Sequence, residues 1–237
     1  MNYLVTGCAG FIGYHVAVSI LKQDKQSKVI GIDNLNDYYS VKLKQKRIQL
    51  LKQSKRFNFL KINLIDKKKI IRVFNKHKID FVIHLAAQAG VRYSLINPES
   101  YYESNIVGFS NIIEISHANN VKKFIFASSS SVYGDKKRYP LNETEKIYPK
   151  NIYSASKKLN EDIASDVSKI SKMQMIGLRF FTIYGKWGRP DMLIFSFLKS
   201  AKEQKIYYLN DYGNHVRDFT HIDDVLIIIN KLIKKKI

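Results

Sequence analysis

Tyr153 and Lys157 stand four residues apart in Tyr153-Ser154-Ala155-Ser156-Lys157, so on a helix they share a face. An ammonium beside a phenol favours the phenolate and lowers a pKa that is otherwise about 10. A phenol tuned in this way can take a proton from a hydroxyl whose carbon gives up a hydride, and a serine within reach can orient that hydroxyl. The run Ser128-Ser129-Ser130-Ser131 supplies such serines at the end of a strand-like stretch. Tyr-x-x-x-Lys alone is common by chance, and serine quartets are often loop filler, so position has to decide what both mean.

Position is informative because of the start of the chain. Thr6 is followed by Gly7-Cys8-Ala9-Gly10-Phe11-Ile12-Gly13, a G-x-x-G-x-x-G run entering a helical segment. Glycines there allow a tight turn, close approach of backbone N–H groups to a pyrophosphate, and close packing of helix on sheet; the helix N-terminus adds a favourable dipole. Asp33 closes the next strand-like run 20 residues past Gly13, where a carboxylate can accept from ribose hydroxyls. An acid at that place repels a 2′-phosphate, which favours NAD over NADP.

These residues need a frame, and the rest of the sequence supplies one. Short β-branched runs alternate with helix-period segments, the pattern of βαβ units around a parallel sheet. Strands are expected over 3–6, 29–33, 57–62, 81–85, 124–128 and 175–180, and helices over 10–22, 41–52, 67–76, 98–117 and 152–171. Asp66 can cap the helix containing Ile70, Ile71 and Phe74, and Asn97-Pro98 fits an N-cap and first turn. After Phe181 the chain becomes rich in loop residues, with Gly185, Trp187, Gly188, Arg189 and Pro190 close together. The expected fold is a Rossmann-type, doubly wound parallel α/β sheet over residues 1–180. A small, truncated C-terminal substrate lobe begins at 181–237, with 217–230 returning to the first domain.

Composition narrows the function classes. The 237 residues are 45% hydrophobic, a globular composition with room for one sizeable core. Lys+Arg 40 against Asp+Glu 20 gives a net charge of +20, which raises the question of nucleic acid. The cations are 32 lysines and 8 arginines scattered with no zinc finger, RNP or basic-helix signature, so no specific nucleic-acid partner is expected. One cysteine, Cys8, makes no intramolecular disulfide. With no signal peptide and no run of 18 apolar residues, a cytoplasmic protein with no membrane partner is expected. No His/Cys cluster has metal-ligand spacing. His84, within Val82-Ile83-His84-Leu85, reads as a packed strand histidine.

Taken together, the motifs resemble the extended short-chain dehydrogenase/reductase superfamily, and within it the NAD-dependent nucleotide-sugar epimerases and dehydratases. The strings are TGCAGFIG (6–13), HLAA (84–87), SSSSVYG (128–134), YSASK (153–157), RFFTIYG (179–185) and RDFTHIDD (217–224), in family order. The resemblance implies Ser129 as the catalytic Ser/Thr, Tyr153 as the base, and Lys157 as the residue that binds ribose and lowers the tyrosine pKa. It places Gly7, Gly10, Phe11, Ile12, Gly13, Asp33 and Asn34 on the dinucleotide, with Leu85, Ala86 and Ala87 along its path. Asn63 stands where relatives usually carry an Asp facing adenine, and an amide can still hydrogen-bond a base. The helices over 98–117 and 152–171 resemble the pair through which the family forms homodimers.

Longer strings, Gln88 to Ser94, Asp33 to Tyr39 and Gly188 to Met192, are similar to UDP-glucuronate 4-epimerases. The resemblance sets Arg92 and Arg189 on the substrate carboxylate, which a guanidinium meets bidentately, and Ser130, Ser131 and Thr182 on the sugar. Dehydratase relatives carry an Asp-Glu pair where this chain has Ser130 and Ser131, and decarboxylating relatives tend to carry an acid at Ser131; neither supply of acid and base is present. The expected activity is therefore NAD-dependent 4-epimerisation of a UDP-uronic acid. A UDP-hexose 4-epimerase, a UDP-glucuronate decarboxylase, and an inactive NAD-binding remnant stay open, the last because family members run on beyond the RDFTHIDD string. Lys186 also replaces a proline usual in relatives, at a cost in loop rigidity only.

Overall fold

The computed structural model describes every residue except Lys137, His215, Val216, Lys236 and Ile237, so the last four of these positions, within the expected 181–237 lobe, lie outside the described residues. Six strands, β1 (Asn2–Thr6), β2 (Lys28–Asp33), β3 (Phe57–Lys61), β4 (Phe81–His84), β5 (Lys123–Ser129) and β6 (Gln174–Phe180), form one parallel sheet in the order β3-β2-β1-β4-β5-β6. The direction of winding reverses between β1 and β4, and in open α/β sheets the crevice for a ligand lies beyond the strand ends at that reversal.

Alternation along the buried strands divides the core in two. Tyr3 and Val5, Val29, and Phe81 and Ile83 face one layer, while Leu4, Ile30 and Ile32, and Val82 face the other. The first layer is closed by α1 (Phe11–Gln23) and α2 (Val41–Leu51), through Phe11, Val16, Ile20, Ile48 and Leu51. The second is closed by α3 (Lys67–Lys76), through Ile70, Val73 and Phe74, and by the long helices that precede and follow β5. Asp66 caps α3 by accepting from the Lys69 N–H at 3.0 Å. Each such fully buried aliphatic side chain contributes on the order of 1.5–3 kcal/mol of transfer free energy, so the layers dominate stability.

The helix expected over 98–117 is present as an unbroken helical run over 99–118, but it is not regular: after a separate short α4 (Tyr93–Ile96), α5 (Glu99–Tyr101) passes through a π-helical stretch, Tyr102–Val107, into α6 (Gly108–Ala118). A sequence period of 3.6 cannot reveal the extra residue per turn that a π stretch carries. The following helix, α7 (Ile152–Ile170), starts at a reciprocal cap: Asn151 Oδ1 accepts from the Ser154 N–H at 2.9 Å and Ser154 Oγ from the Asn151 N–H at 3.1 Å.

Beyond Phe180 come elements that the sequence reading did not draw: β7 (Thr182–Tyr184), α8 (Leu193–Lys202), β8 (Phe219–His221) and α9 (Ile222–Lys234), with β7 and β8 paired in parallel. Helix α9 lies against α1, and its Ile222, Val225 and Ile229 complete the first core layer. Helix α8 buries none of its residues, so this part of the chain owes little to the main core.

Candidate active site

A cavity of about 430 Å³ opens at the strand ends, where β1 and β4 diverge. Its floor is the turn after β1. Gly7 has φ +69°, a conformation costly for any residue with a Cβ, and it sits against the backbone after β4: a Cβ there would lie 2.7 Å from the Ala86 nitrogen. At Gly13 a Cβ would lie 2.1 Å from the Gly7 carbonyl oxygen, so the first turn of α1 packs directly on the loop. Gly10 provides the N-cap of α1 without a capping side chain, which leaves the helix N-terminus open to the cavity. Phe11, Ile12, Leu85, Ala86 and Ala87 complete this wall, and Asn34 and Asn63 line the cavity further out.

Asp33 is buried at the end of β2, where its carboxylate accepts from the Ala9 N–H at 3.1 Å and the Leu35 N–H at 2.8 Å. Burial pushes its pKa up, while those two donors and the Lys44 and Arg47 cations pull it down. The same carboxylate therefore ties the glycine turn to β2 and faces the cavity. Lys44 and Arg47, both from α2 and both buried, were not singled out by the sequence reading. Lys44 lies 4.4 Å from the Tyr39 ring centre, donates to the Asn36 carbonyl at 2.7 Å, and lines the cavity. A lysine and an arginine on a helix with no acid in its first turn read as solvated surface, and only the fold turns them inward.

On the opposite wall the serine run divides by strand alternation. Ser128, which also lines the cavity, donates to Glu161, one turn beyond Lys157 on α7 and paired with Arg179 at 2.8 Å. Ser129, the last residue of β5, is buried and accepts from the Ser131 N–H at 3.2 Å and the Ser131 hydroxyl at 2.8 Å. Ser129, Ser130, Ser131, Tyr153, Lys157 and Thr182 all line the cavity, and Ser129 hydrogen-bonds to Tyr153.

Tyr153 and Lys157 share the inner face of α7. Burial raises the Tyr153 pKa, and the Ser129 hydrogen bond and the Arg189 charge lower it. The Lys157 ammonium donates to the Ala127 carbonyl at 2.9 Å, and burial brings its pKa down to about 8. Tyr101, fully buried, packs edge-on to the Tyr153 ring at 6.1 Å and donates to the Ala89 carbonyl at 3.0 Å and to that of Gly90. His84 is a packed strand histidine: it shares a hydrogen bond with Thr6 at 3.0 Å, and burial holds its pKa down at about 3.

The two arginines separate. Arg189 lines the cavity, but its guanidinium is taken on one edge by Asp191, with Nε to Oδ1 at 3.0 Å and Nη2 to Oδ2 at 2.5 Å, and lies 5.5 Å from the Tyr38 ring centre. Arg92 does not reach the cavity. It is exposed at the start of α4, because Tyr101 holds the carbonyls of residues 89 and 90 inward and the chain turns out beyond them. Asp191 is the partner that motif spacing missed. Among the described residues no group of three His, Cys, Asp or Glu could hold a metal, and no helix is long and apolar enough to cross a membrane.

Comparison with known proteins agrees with this arrangement. Protein CapI of Staphylococcus aureus is 45% identical over 236 residues, covering 99% of this chain and 70% of the relative. UDP-glucuronate 4-epimerase 4 of Arabidopsis thaliana is 43% identical over 231 residues, covering 95% of this chain and 52% of that protein. The crystal structure of UDP-glucuronic acid 4-epimerase from Bacillus cereus, in complex with UDP-glucuronic acid and NAD, superposes with a TM-score of 0.92 at 33% identity, over 100% of this chain and 74% of that one. The pattern of the NAD dependent epimerase/dehydratase family matches residues 3–236, and the chain belongs to that family.

Proposed function

We propose that the protein interconverts UDP-glucuronate and UDP-galacturonate by transient oxidation at C4 of the sugar, with NAD as a bound, regenerated cofactor. The observation that carries this is the convergence of the glycine turn and Asp33 with Ser129, Tyr153, Lys157 and Arg189 on one cavity. Relatives bearing the UDP-glucuronate 4-epimerase name at 40–43% identity support the substrate class.

The residues fit the dinucleotide. Gly7 and Gly13 let the turn pack directly on the backbone after β4 and on the first turn of α1, the close geometry in which backbone can approach a pyrophosphate, and Asp33 and Lys44 stand where a ribose and its neighbouring charge would lie. When bound, NAD supplies reversible acceptance of a hydride from the sugar's C4. Tyr153 takes the O4 proton as C4 is oxidised and returns it on reduction, so atoms and electrons balance with no external reductant. Ser129, bonded to Tyr153, orients the same hydroxyl, and Lys157 anchors that end of α7 on the Ala127 carbonyl. Ser130, Ser131 and Thr182 line the sugar side, and inversion requires the 4-keto sugar to present its other face.

Arg189 is the group for the uronate carboxylate. Asp191 occupies one edge of its fork, leaving Nη1 to meet a second anion. That same pairing means a neutral sugar would not strand an unpaired guanidinium, which favours a UDP-hexose as the second reading. Residues 181–237 form the beginning of the sugar lobe in this reading, with 217–230 returning to the first domain. Exposed Tyr102, Val107 and Leu159 on the π stretch and α7 suit these helices to pairing two copies, and the lone buried thiol of Cys8 is consistent with the cytoplasm.

Purified protein incubated with UDP-glucuronate and NAD, followed by proton NMR of the anomeric and H4 signals, tests the proposal. UDP-galacturonate is expected. UDP-xylose would make the chain a decarboxylase, turnover of UDP-glucose alone would favour the hexose reading, and NAD binding without any product would mark an inactive nucleotide-binding remnant.

A further inference from the structure

Three successive carbonyls beyond β7 are held by side chains from the first domain. The Lys186 oxygen accepts from His15 Nε2 at 2.7 Å, and Arg47 Nη2 donates to the oxygens of Trp187 at 2.6 Å and Gly188 at 3.3 Å. The other arm of the same guanidinium, Nη1, donates to the Ala9 carbonyl at 2.8 Å, inside the glycine turn, and to the Tyr39 hydroxyl at 2.8 Å. Arg47 is 0% exposed, and its Nε has no partner among the described residues. Trp187 is held at φ +63° with its ring 6.0 Å from that of Tyr14, and the next residues but one are Arg189 and, beyond it, Asp191.

We propose that Arg47 is a positioning residue that couples occupancy of the dinucleotide turn to the placement of Arg189, with His15 as its second point of attachment. This rests on the reading that the cavity takes NAD and a nucleotide sugar. A guanidinium is a rigid planar fork, so a shift of the Ala9 carbonyl on one arm is carried to the Trp187 and Gly188 carbonyls on the other. At the buried Ala9 and Gly188 carbonyls, breaking the bond to Arg47 leaves the oxygen without its partner, which is costly away from solvent. A Trp at positive φ persists only where its surroundings hold it, which makes the loop responsive to the clamp. Ligand that orders the turn then lowers the ordering cost of the arginine loop, and by linkage the sugar nucleotide tightens the dinucleotide equally. A lysine, with one point charge, cannot span the two loops.

Lys186, Trp187 and Gly188 do not line the cavity, so a change at their amides on adding NAD reads coupling and not contact. In hydrogen exchange on the wild-type protein, NAD alone is expected to slow residues 186–188 as well as 7–13. Titration of UDP-glucuronate should give a Kd at least about fivefold tighter at saturating NAD than without it. In Arg47→Lys that factor should fall to about one, with the protein still folded. Arg56→Lys is the control, because Arg56 clamps the Leu21, Asp24 and Ser27 carbonyls at the other edge of the sheet and should keep the wild-type factor. Protection at 7–13 without protection at 186–188 overturns the coupling in the wild-type protein, whether or not the variant folds. A folded Arg47→Lys that retains the factor also overturns it. Absence of any NAD protection overturns the coupling together with the functional reading beneath it.

Discussion

Both edges of the parallel sheet tie down polar side chains and put them to different use. Where strands begin, Arg56 donates to the carbonyls of Leu21, Asp24 and Ser27. Lys123, the first residue of β5, donates to Leu232, Ile233 and Lys235 at the end of α9, and the Asp80 carboxylate accepts from the Asn2 N–H at 2.9 Å. Those bonds close within the chain. Where strands end, Asp33, Ser129, Tyr153, Lys157 and Arg189 also bond within the chain, yet each keeps a face on the cavity. Burial and charge alone therefore do not mark a site; spare bonding capacity aimed into a shared space does.

That contrast can be broken or sharpened by substitution. The largest effect is expected for Tyr153→Phe, which removes the proton acceptor: kcat should fall about 10³-fold with NAD affinity changed little, and a near-normal kcat would move the base elsewhere. Gly13→Ala forces a Cβ onto the Gly7 carbonyl, which as backbone cannot yield, and should weaken NAD binding about 100-fold in a fluorescence titration. At the other edge, Arg56→Met should cost about 2 kcal/mol in denaturant unfolding while kcat/KM stays within twofold; a comparable loss of activity would erase the distinction between the edges.

Asp191→Asn should produce a smaller change. Freed from its internal carboxylate, Arg189 should discriminate for a uronate over a hexose about five- to tenfold better in kcat/KM, whereas a fall for both sugars would make Asp191 an orienting group. The least effect concerns pH. Folded Lys157 gives up its proton from about pH 8, while in the unfolded chain it holds one to about 10.4, so unfolding takes up a proton in that window and stability rises with pH. Thermal unfolding of the cofactor-free protein should show that rise relative to Lys157→Met between pH 8 and 10, and parallel profiles would mean the ammonium is solvated.

Much of this was readable in advance where local chemistry and fold agree. The glycine turn, Asp33 and the six strands are local patterns with local causes, so their positions follow from spacing. The dinucleotide side of the cavity was legible for that reason. The sugar side was less so. Arg92 and Arg189 are alike in sequence, and only the Tyr101 hydroxyl, which fixes the 89–90 carbonyls, turns one outward. Arg47 and Lys44 lie on a helix that reads as basic surface, and nothing short of the tertiary fold shows that their heads reach a carbonyl of the glycine turn and the Asn36 carbonyl. The short β7 and β8 pair across 37 positions with only three residues each, too brief for a periodic signal.

The π-helical stretch before α6 has a consequence for how this framework tolerates change in length. Within it, Asn105 donates to the Gln88 carbonyl and the Ser156 hydroxyl, both at 3.0 Å, accepts from the Gln88 N–H at 2.8 Å, and offers its own carbonyl to Asn160 at 2.6 Å. A regular α-helix would engage that carbonyl four residues on and rotate the amide away. Deleting a single residue between 102 and 107 would give a better helix by local measures, yet it would turn Asn105 by about 100° and unlatch α7 beside Tyr153 and Lys157. The irregular turn thus acts as a register mark: insertions and deletions that pass unnoticed in a surface loop are forbidden at this point.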